Sequence, residues 1–179
     1  TTEIYTLSLH DALPICKYIP EGKVKLVRCV QRSQGLMVAK GNPLGIRGIE
    51  DLPRLRYVNR QKGSGTRILL DYLLKQSCLN VESITGYERE EITHTAVAAA
   101  VASGTADAGM GILSAARIYD LDFIPICKEE YDLLILESAL SMESVQRLIS
   151  ILQSNELAAR LEKLGGYQID QPGEIIQWN

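Results

Sequence analysis

The sequence predicts an α/β fold with a mainly parallel sheet covered on both faces. Two observations carry that expectation: apolar runs of strand length alternate with segments of helical period, and turns rich in Gly, Pro, Ser or Asn separate them. Strands that alternate with helices need crossover connections, and these lay helices on the two sides of the sheet.

The elements follow in chain order. Val24 to Val30 and Leu36 to Ala39 read as two strands, the second ended by the turn Gly41-Asn42-Pro43. Ile49 to Leu52 is a short helical turn stopped by Pro53, and Arg56 to Asn59 is the next strand. From Thr66 to about Gln76 the period is helical, with Ile68, Leu69, Tyr72 and Leu73 on one face. A strand-like piece lies near Ile84 to Tyr87, before an alanine-rich helix from about Thr95 to Ala102 that Ser103-Gly104 closes. Asp107 to Ile112 and Phe123 to Ile126 are buried strands separated by a helix through Ser114 to Tyr119. Tyr131 to Leu136 is a further strand, and Met142 to Leu152 and Asn155 to Leu164 are amphipathic helices ended by Gly165-Gly166.

The chemistry concentrates in Arg60-Gln61-Lys62-Gly63-Ser64-Gly65-Thr66-Arg67, a Gly-rich turn from strand to helix. Such a turn leaves the first amides of the helix unpaired where the helix dipole favours negative charge. Ser64 and Thr66 add hydroxyl donors, Gly63 and Gly65 allow close approach, and Arg60 and Arg67 can each make charge-assisted bonds to oxygen. The alternative is a plain helix cap with solvated arginines. A second helix start, Thr93-His94-Thr95, offers another wall of the same kind, since ligands of parallel sheets lie beyond the carboxyl ends of the strands. Here too the hydroxyls can be no more than caps, and His94 is either a satisfied structural histidine or a donor to an oxyanion.

The spacing Arg-x-x-x-Ser-Gly-Thr resembles the anion loop of phosphate- and tungstate-binding members of the periplasmic-binding-protein superfamily. Three longer segments extend the likeness: Gln34-Gly-Leu-Met-Val-Ala-Lys-Gly-Asn-Pro43, Tyr57-Val-Asn-Arg-Gln-Lys-Gly-Ser-Gly-Thr-Arg67 and Gly86-Tyr-Glu-Arg-Glu-Glu-Ile-Thr-His-Thr-Ala-Val-Ala-Ala-Ala-Val-Ala-Ser-Gly104. They resemble the binding-protein-like domain attached to some molybdopterin biosynthesis enzymes and to helix-turn-helix regulators. The resemblance implies a type II, two-lobed α/β fold, with residues 41–127 as the second lobe and residues 16–40 and 128–179 as the remnant of an N-terminally truncated first lobe. It further implies a binding or sensing domain without catalysis, which closes on a tetrahedral oxyanion, molybdate or tungstate, and reports to a fused enzyme or DNA-binding domain. The other reading that it leaves open is an accessory part of a molybdenum-cofactor enzyme, or a transferase on the same fold. Arg32 and Gln34 stand where the family also carries Arg and Gln, so they either reach the ligand from the first lobe or decorate the surface.

The first fifteen residues have another origin. Tyr5-Thr-Leu-Ser-Leu-His-Asp-Ala-Leu-Pro-Ile15 is the translation of a common sequencing-library adapter, which Thr1 to Ile4 continue upstream. The segment has neither the basic start nor the apolar run of a signal peptide, so it is expected to be an artefact that has displaced the native N-terminus. Without its two acids the formal charge moves from −3 to about −1, which predicts no general attraction to nucleic acid or membrane. No apolar run approaches the roughly 18 residues of a membrane span.

Cys16, Cys29, Cys78 and Cys127 are widely spaced, and His94 is the one histidine beyond the adapter, so no metal site is expected. Cys29 and Cys127 lie in strand-like runs and read as buried thiols, which together with the missing signal sequence suggests a reducing cytoplasm. Gly109-Met110-Gly111 lacks the third glycine of a dinucleotide turn, and Gly63-Ser64-Gly65-Thr66 lacks the lysine of a nucleotide-hydrolysing phosphate loop. No nucleophile and base can be paired from spacing, and no cofactor is implied. Glu88-Arg89-Glu90-Glu91 reads as a solvated edge, or as a source of one carboxylate that orients Arg60 or Arg67.

Overall fold

The computed structural model describes residues 24–176 in full and residues 5–7 and 177 as backbone. Most of the adapter-like segment, and Cys16 with it, therefore lies outside the described residues. The chain divides into two compact units, residues 33–127 and residues 1–32 with 128–179. Both boundaries fall inside long strands.

Of these strands, β1 is Tyr5–Leu7, β2 is Val24–Val38, β3 is Tyr57–Arg60 and β4 is Glu90–Glu91. They continue with β5 at Ala108–Ile112, β6 at Asp122–Leu136, β7 at Tyr167–Gln168 and β8 at Ile175–Gln177. The α-helices are α1 at Gly65–Gln76, α2 at His94–Ala102, α3 at Leu113–Ile118, α4 at Glu143–Leu152 and α5 at Asn155–Leu164.

Within residues 33–127 the strand order is β6-β2-β5-β3-β4. β3 runs parallel to both neighbours, with Tyr57 opposite Ala108 on β5 and Asn59 opposite Glu90 on β4. All four residues of β3 and the first four of β5 are buried, as strands sandwiched between helices must be. Val97, Ala98 and Val101 of α2 and Ala115 and Ala116 of α3 pack with Met37 and Val58 into one core. Gly109 and Gly111, two apart and so on one face of β5, let that layer approach: a methyl on Gly109 would lie 2.3 Å from a Val97 methyl, and one on Gly111 2.5 Å from Met37 Cε.

The other unit is built on the outer halves of β2 and β6. β7 and β8 pair antiparallel with β2 at Gln31–Arg32 and Lys25–Val27, and Val27, Ile149 and Leu152 form a small core beside Leu133 and Ile135. α5 is capped by Ser154, whose hydroxyl accepts from the Leu157 amide, and ends at Gly165 with φ 73°.

Several sequence expectations change. The sheet is mixed: β3 is parallel to both of its neighbours, but β2 pairs antiparallel with β5 from Gln34 to Val38. The two strands expected across 24–39 are one 15-residue strand. Gly35 does not break it; there the backbone of Ile124 comes so close that a side chain on residue 35 would meet its carbonyl oxygen at 2.1 Å. Likewise Phe123–Ile126 and Tyr131–Leu136 belong to one strand, β6. No strand forms at Ile84–Tyr87, where Gly86 turns with φ 88° against the Tyr57 carbonyl. Pro53 lies inside a 3-10 turn, Ile49–Arg54, rather than ending it. On α1 Leu69 and Leu73 are buried as expected, but Leu70 and Leu74 share that face in place of Ile68 and Tyr72, which are 38% and 48% exposed. Gly109-Met110-Gly111, by contrast, lies within β5, in agreement with the strand expected over Asp107 to Ile112.

Cys29 is half-buried, Cys127 buried and Cys78 exposed, and burial followed by the nearby Asp132 pushes the Cys29 thiol up. Among the described residues no helix is long and apolar enough to cross a membrane.

Asp107 locks the entry to β5. Its carboxylate accepts the Arg56 amide at 2.8 Å and pairs with the Arg56 guanidinium, while its own amide donates to the Arg56 carbonyl at 2.7 Å. Hydrogen bonding from Arg56 holds the carboxyl below the usual aspartate value, so its stabilisation is present above the unfolded-state pKa of about 3.9 and is lost as pH falls through the lower folded value. Asp107→Asn should therefore unfold in urea with about 1 to 2 kcal/mol less stability at neutral pH. The gap between the two proteins should close as the pH falls through that lowered folded-state value.

Candidate anion-binding site

β3 and β4 end side by side, and a helix starts just beyond each. Arg60, the last residue of β3, stands opposite Glu91, the last of β4, and the Gln61 amide extends the ladder to the Glu91 carbonyl at 3.1 Å. The chain then turns through Gly63, at φ 85°, into Ser64 and α1; on the other strand it passes Ile92 into Thr93 and α2. Parallel pairing thus brings two helix N-termini to one edge of the sheet.

Both starts are capped in the same way. Ser64 Oγ accepts from the Arg67 amide at 3.2 Å, and Thr93 Oγ1 accepts from the Ala96 amide at 3.0 Å while lying 3.0 Å from Thr95 Oγ1. A hydroxyl that accepts with its oxygen keeps its hydrogen for another partner. The amides of Gly65, Thr66 and Thr95 belong to the first-turn donors that helix geometry leaves without an intrahelical acceptor, at the positive end of the dipole.

Arg60 joins the two loops. The residue is only 9% exposed; its Nη2 donates to the Ile92 carbonyl at 3.0 Å and its Nε to Gln61 Oε1 at 3.2 Å. The guanidinium therefore places a permanent positive charge between the helix starts. Buried Thr66 sits in the first turn of α1.

The remaining candidates are placed differently. Arg67 is 3% exposed and its guanidinium is turned into the protein, with Nε to Asp71 Oδ1 at 3.0 Å and Nη1 to Glu90 Oε1 at 3.2 Å, stacked 4.1 Å from the Tyr87 ring centroid. Its backbone amide, not its guanidinium, faces the cap. Glu90 is the carboxylate of the charged run that holds an arginine, and Glu88 pairs with exposed Lys62. His94, first residue of α2, has its Nδ1 3.4 Å from where a methyl on Gly111 would be, so the ring lies over β5. Fully buried Gln34 pairs with Ile112 at the carboxyl end of β5. Arg32 belongs to the other unit, where it bonds Glu129 and lies over Tyr131.

Two features escaped the sequence reading. Asp71 stands four residues after Arg67, the spacing of a helical ion pair, and Tyr87 donates to the same carboxylate. Buried Ser114, where the sequence has the third helix begin, is the second residue of α3; the N-cap there is Ile112, with no side-chain cap bond.

Comparison with known proteins follows the same lines. A family model described as PBP superfamily domain matches residues 10–153. YvgK of Bacillus subtilis (strain 168), an uncharacterised protein, is 38% identical over 183 residues, covering 97% of this chain and 59% of that protein. The chain thus spans about three fifths of that relative's length. Among solved structures, the substrate-binding domain of a protein described as a molybdenum ABC transporter of Clostridium difficile aligns with TM-score 0.58 at 16% identity, over 88% of this chain and 74% of that one. The regulatory domain of CcmR from Synechocystis PCC6803, in complex with 2-PG, aligns with TM-score 0.58 at 17% identity, over 75% and 68%. At these identities the likeness shows the fold, an α/β type II periplasmic-binding-protein-like one. Because the family match begins at residue 10, inside the adapter-like segment, the reading of that segment rests on its translation alone.

The caps make a separate claim about stability. Thr93→Ala removes the acceptor for the Ala96 amide and should lower unfolding free energy by about 1 kcal/mol, and Ser64→Ala by a similar amount through the Arg67 amide. Thr93→Ser should recover most of the loss in the same urea titration, since it keeps the hydroxyl.

Proposed function

We propose, from the premise that the chain belongs to the PBP superfamily, that it is a small-ligand-binding domain for a tetrahedral oxyanion, molybdate or tungstate. The observation that carries this reading is the pair of capped helix starts at the ends of neighbouring parallel strands, with Arg60 bonded across them. Amides, hydroxyls and a guanidinium are all donors, and converging donors suit an oxygen-rich anion. A solved neighbour described as part of a molybdenum transporter supports the choice of metal oxyanion, and one from a regulator supports sensing.

The domain is read as non-catalytic. Hydroxyls, amides and arginine bind and orient, but none takes a proton at neutral pH, which hydrolysis or group transfer at this edge would require. The partner we propose is a fused enzyme of molybdopterin synthesis or a DNA-binding domain in the parent protein, in the reducing cytoplasm. Occupancy would be reported to that domain.

Calorimetric titration of the full-length protein with molybdate, tungstate, sulfate and phosphate tests the reading. Arg60→Ala should weaken binding by about 1.5 to 3 kcal/mol, and Ser64→Ala or Thr66→Ala by about 0.5 to 1.5 each, because the first loses a charged donor and the others neutral ones. Arg60→Lys should restore only part of the loss, since a point charge cannot replace a planar fork. Wild-type protein that binds none of these anions at millimolar concentration, or folded Arg60→Ala protein that binds as well as wild type, would sink the assignment.

A further inference from the structure

The geometry points to Arg67, Asp71 and Tyr87 as positioning residues for the anion loop, a role resting on the function proposed above. Arg67 belongs to the first turn of α1, immediately after the cap. From there its guanidinium reaches three separate pieces of chain: Asp71 one turn along α1, Glu90 on β4 and, at 3.5 Å, the backbone carbonyl of Arg60 at the end of β3. The Tyr87 ring covers the guanidinium, and the Tyr87 hydroxyl donates to the Asp71 oxygen that Arg67 also uses.

Tyr87 is itself fixed. Its backbone carbonyl accepts from Asn59 Nδ2 at 3.1 Å, and Gly86 before it sits on the Tyr57 carbonyl. Burial, and after it the bond to Asp71, push the Tyr87 phenol up, so it stays a donor throughout the neutral range. The assembly therefore ties the start of α1 to the ends of β3 and β4, the two points between which Gln61 to Ser64 must close. If these ties loosen, the donors of the loop lose their common aim while remaining present, which costs affinity without removing a ligand contact.

This differs in sign from a direct electrostatic role. Asp71 carries negative charge close to an anion site, so charge alone predicts that Asp71→Asn tightens anion binding. Positioning predicts that it weakens binding, as should Tyr87→Phe, which changes no charge. Loss of one tie is expected to reduce affinity by about two- to twelvefold. Titration of the full-length protein with molybdate and tungstate, paired with amide hydrogen exchange over Gln61 to Arg67, reads both effects. We expect weaker binding and faster loop exchange in both variants, with far-UV circular dichroism unchanged, and Asp71→Glu intermediate. Tighter or equal binding by Asp71→Asn, or loop protection equal to wild type in both variants, overturns the inference even when the wild type binds. Absence of binding by the wild type, by contrast, defeats the oxyanion reading, and the exchange data then still decide whether the ties hold the loop.

Discussion

The arrangement depends on one constraint: β3 must satisfy its backbone inside the protein, between two parallel neighbours. It has only four residues, all buried. β5 serves one edge, while the other is served by the irregular stretch that presents the Thr85 and Arg89 carbonyls and then by β4. Parallel pairing requires each strand to leave at the same end and return by a crossover, so the helix starts gather on one edge. Donors converge there because the backbone has no other way to pair, and Arg60 completes the edge by bonding the Ile92 carbonyl.

Much of this was legible in the sequence. The spans of α1, α2 and α5, the strand before the Gly-rich loop and the caps at Ser64 and Thr93 follow from local signals: period, capping hydroxyl and terminal glycine. What escaped was set by tertiary contact. Gly35 looks like a breaker until Ile124 is seen against it, and no local pattern distinguishes a glycine that ends a strand from one that admits a neighbour. The inner face of α1 likewise includes a residue that no apolar pattern marks: Arg67, buried under Tyr87 beside its two carboxylates, lies on the same side as Leu70 and Leu74.

The candidate site shows the same division. Residue types and spacing mark Arg60, Ser64, Thr66 and Thr93 as donors, and the structure brings the two loops that carry them together. Spacing does not reveal which arginine faces outward. Two arginines flank one loop, and Asp71, the Tyr87 ring and Glu90, the last twenty-three residues away in sequence, together hold Arg67 toward the protein. Arg32, grouped with Gln34 by the family resemblance, bonds Glu129.

The double duty of the capping hydroxyls has a consequence for divergence. Ser64 and Thr93 hold the first turns of α1 and α2, so substitution there carries a folding penalty whatever the ligand. Such positions accept Ser-for-Thr exchange but resist loss of the hydroxyl, and on the proposed reading a change of ligand preference falls to other positions. Variation is left to the rim, to exposed Lys62 and Ile92, which bear neither cap nor ladder through their side chains. A fixed pair of cradles bordered by a mutable rim is a design in which specificity can change while the scaffold stays the same.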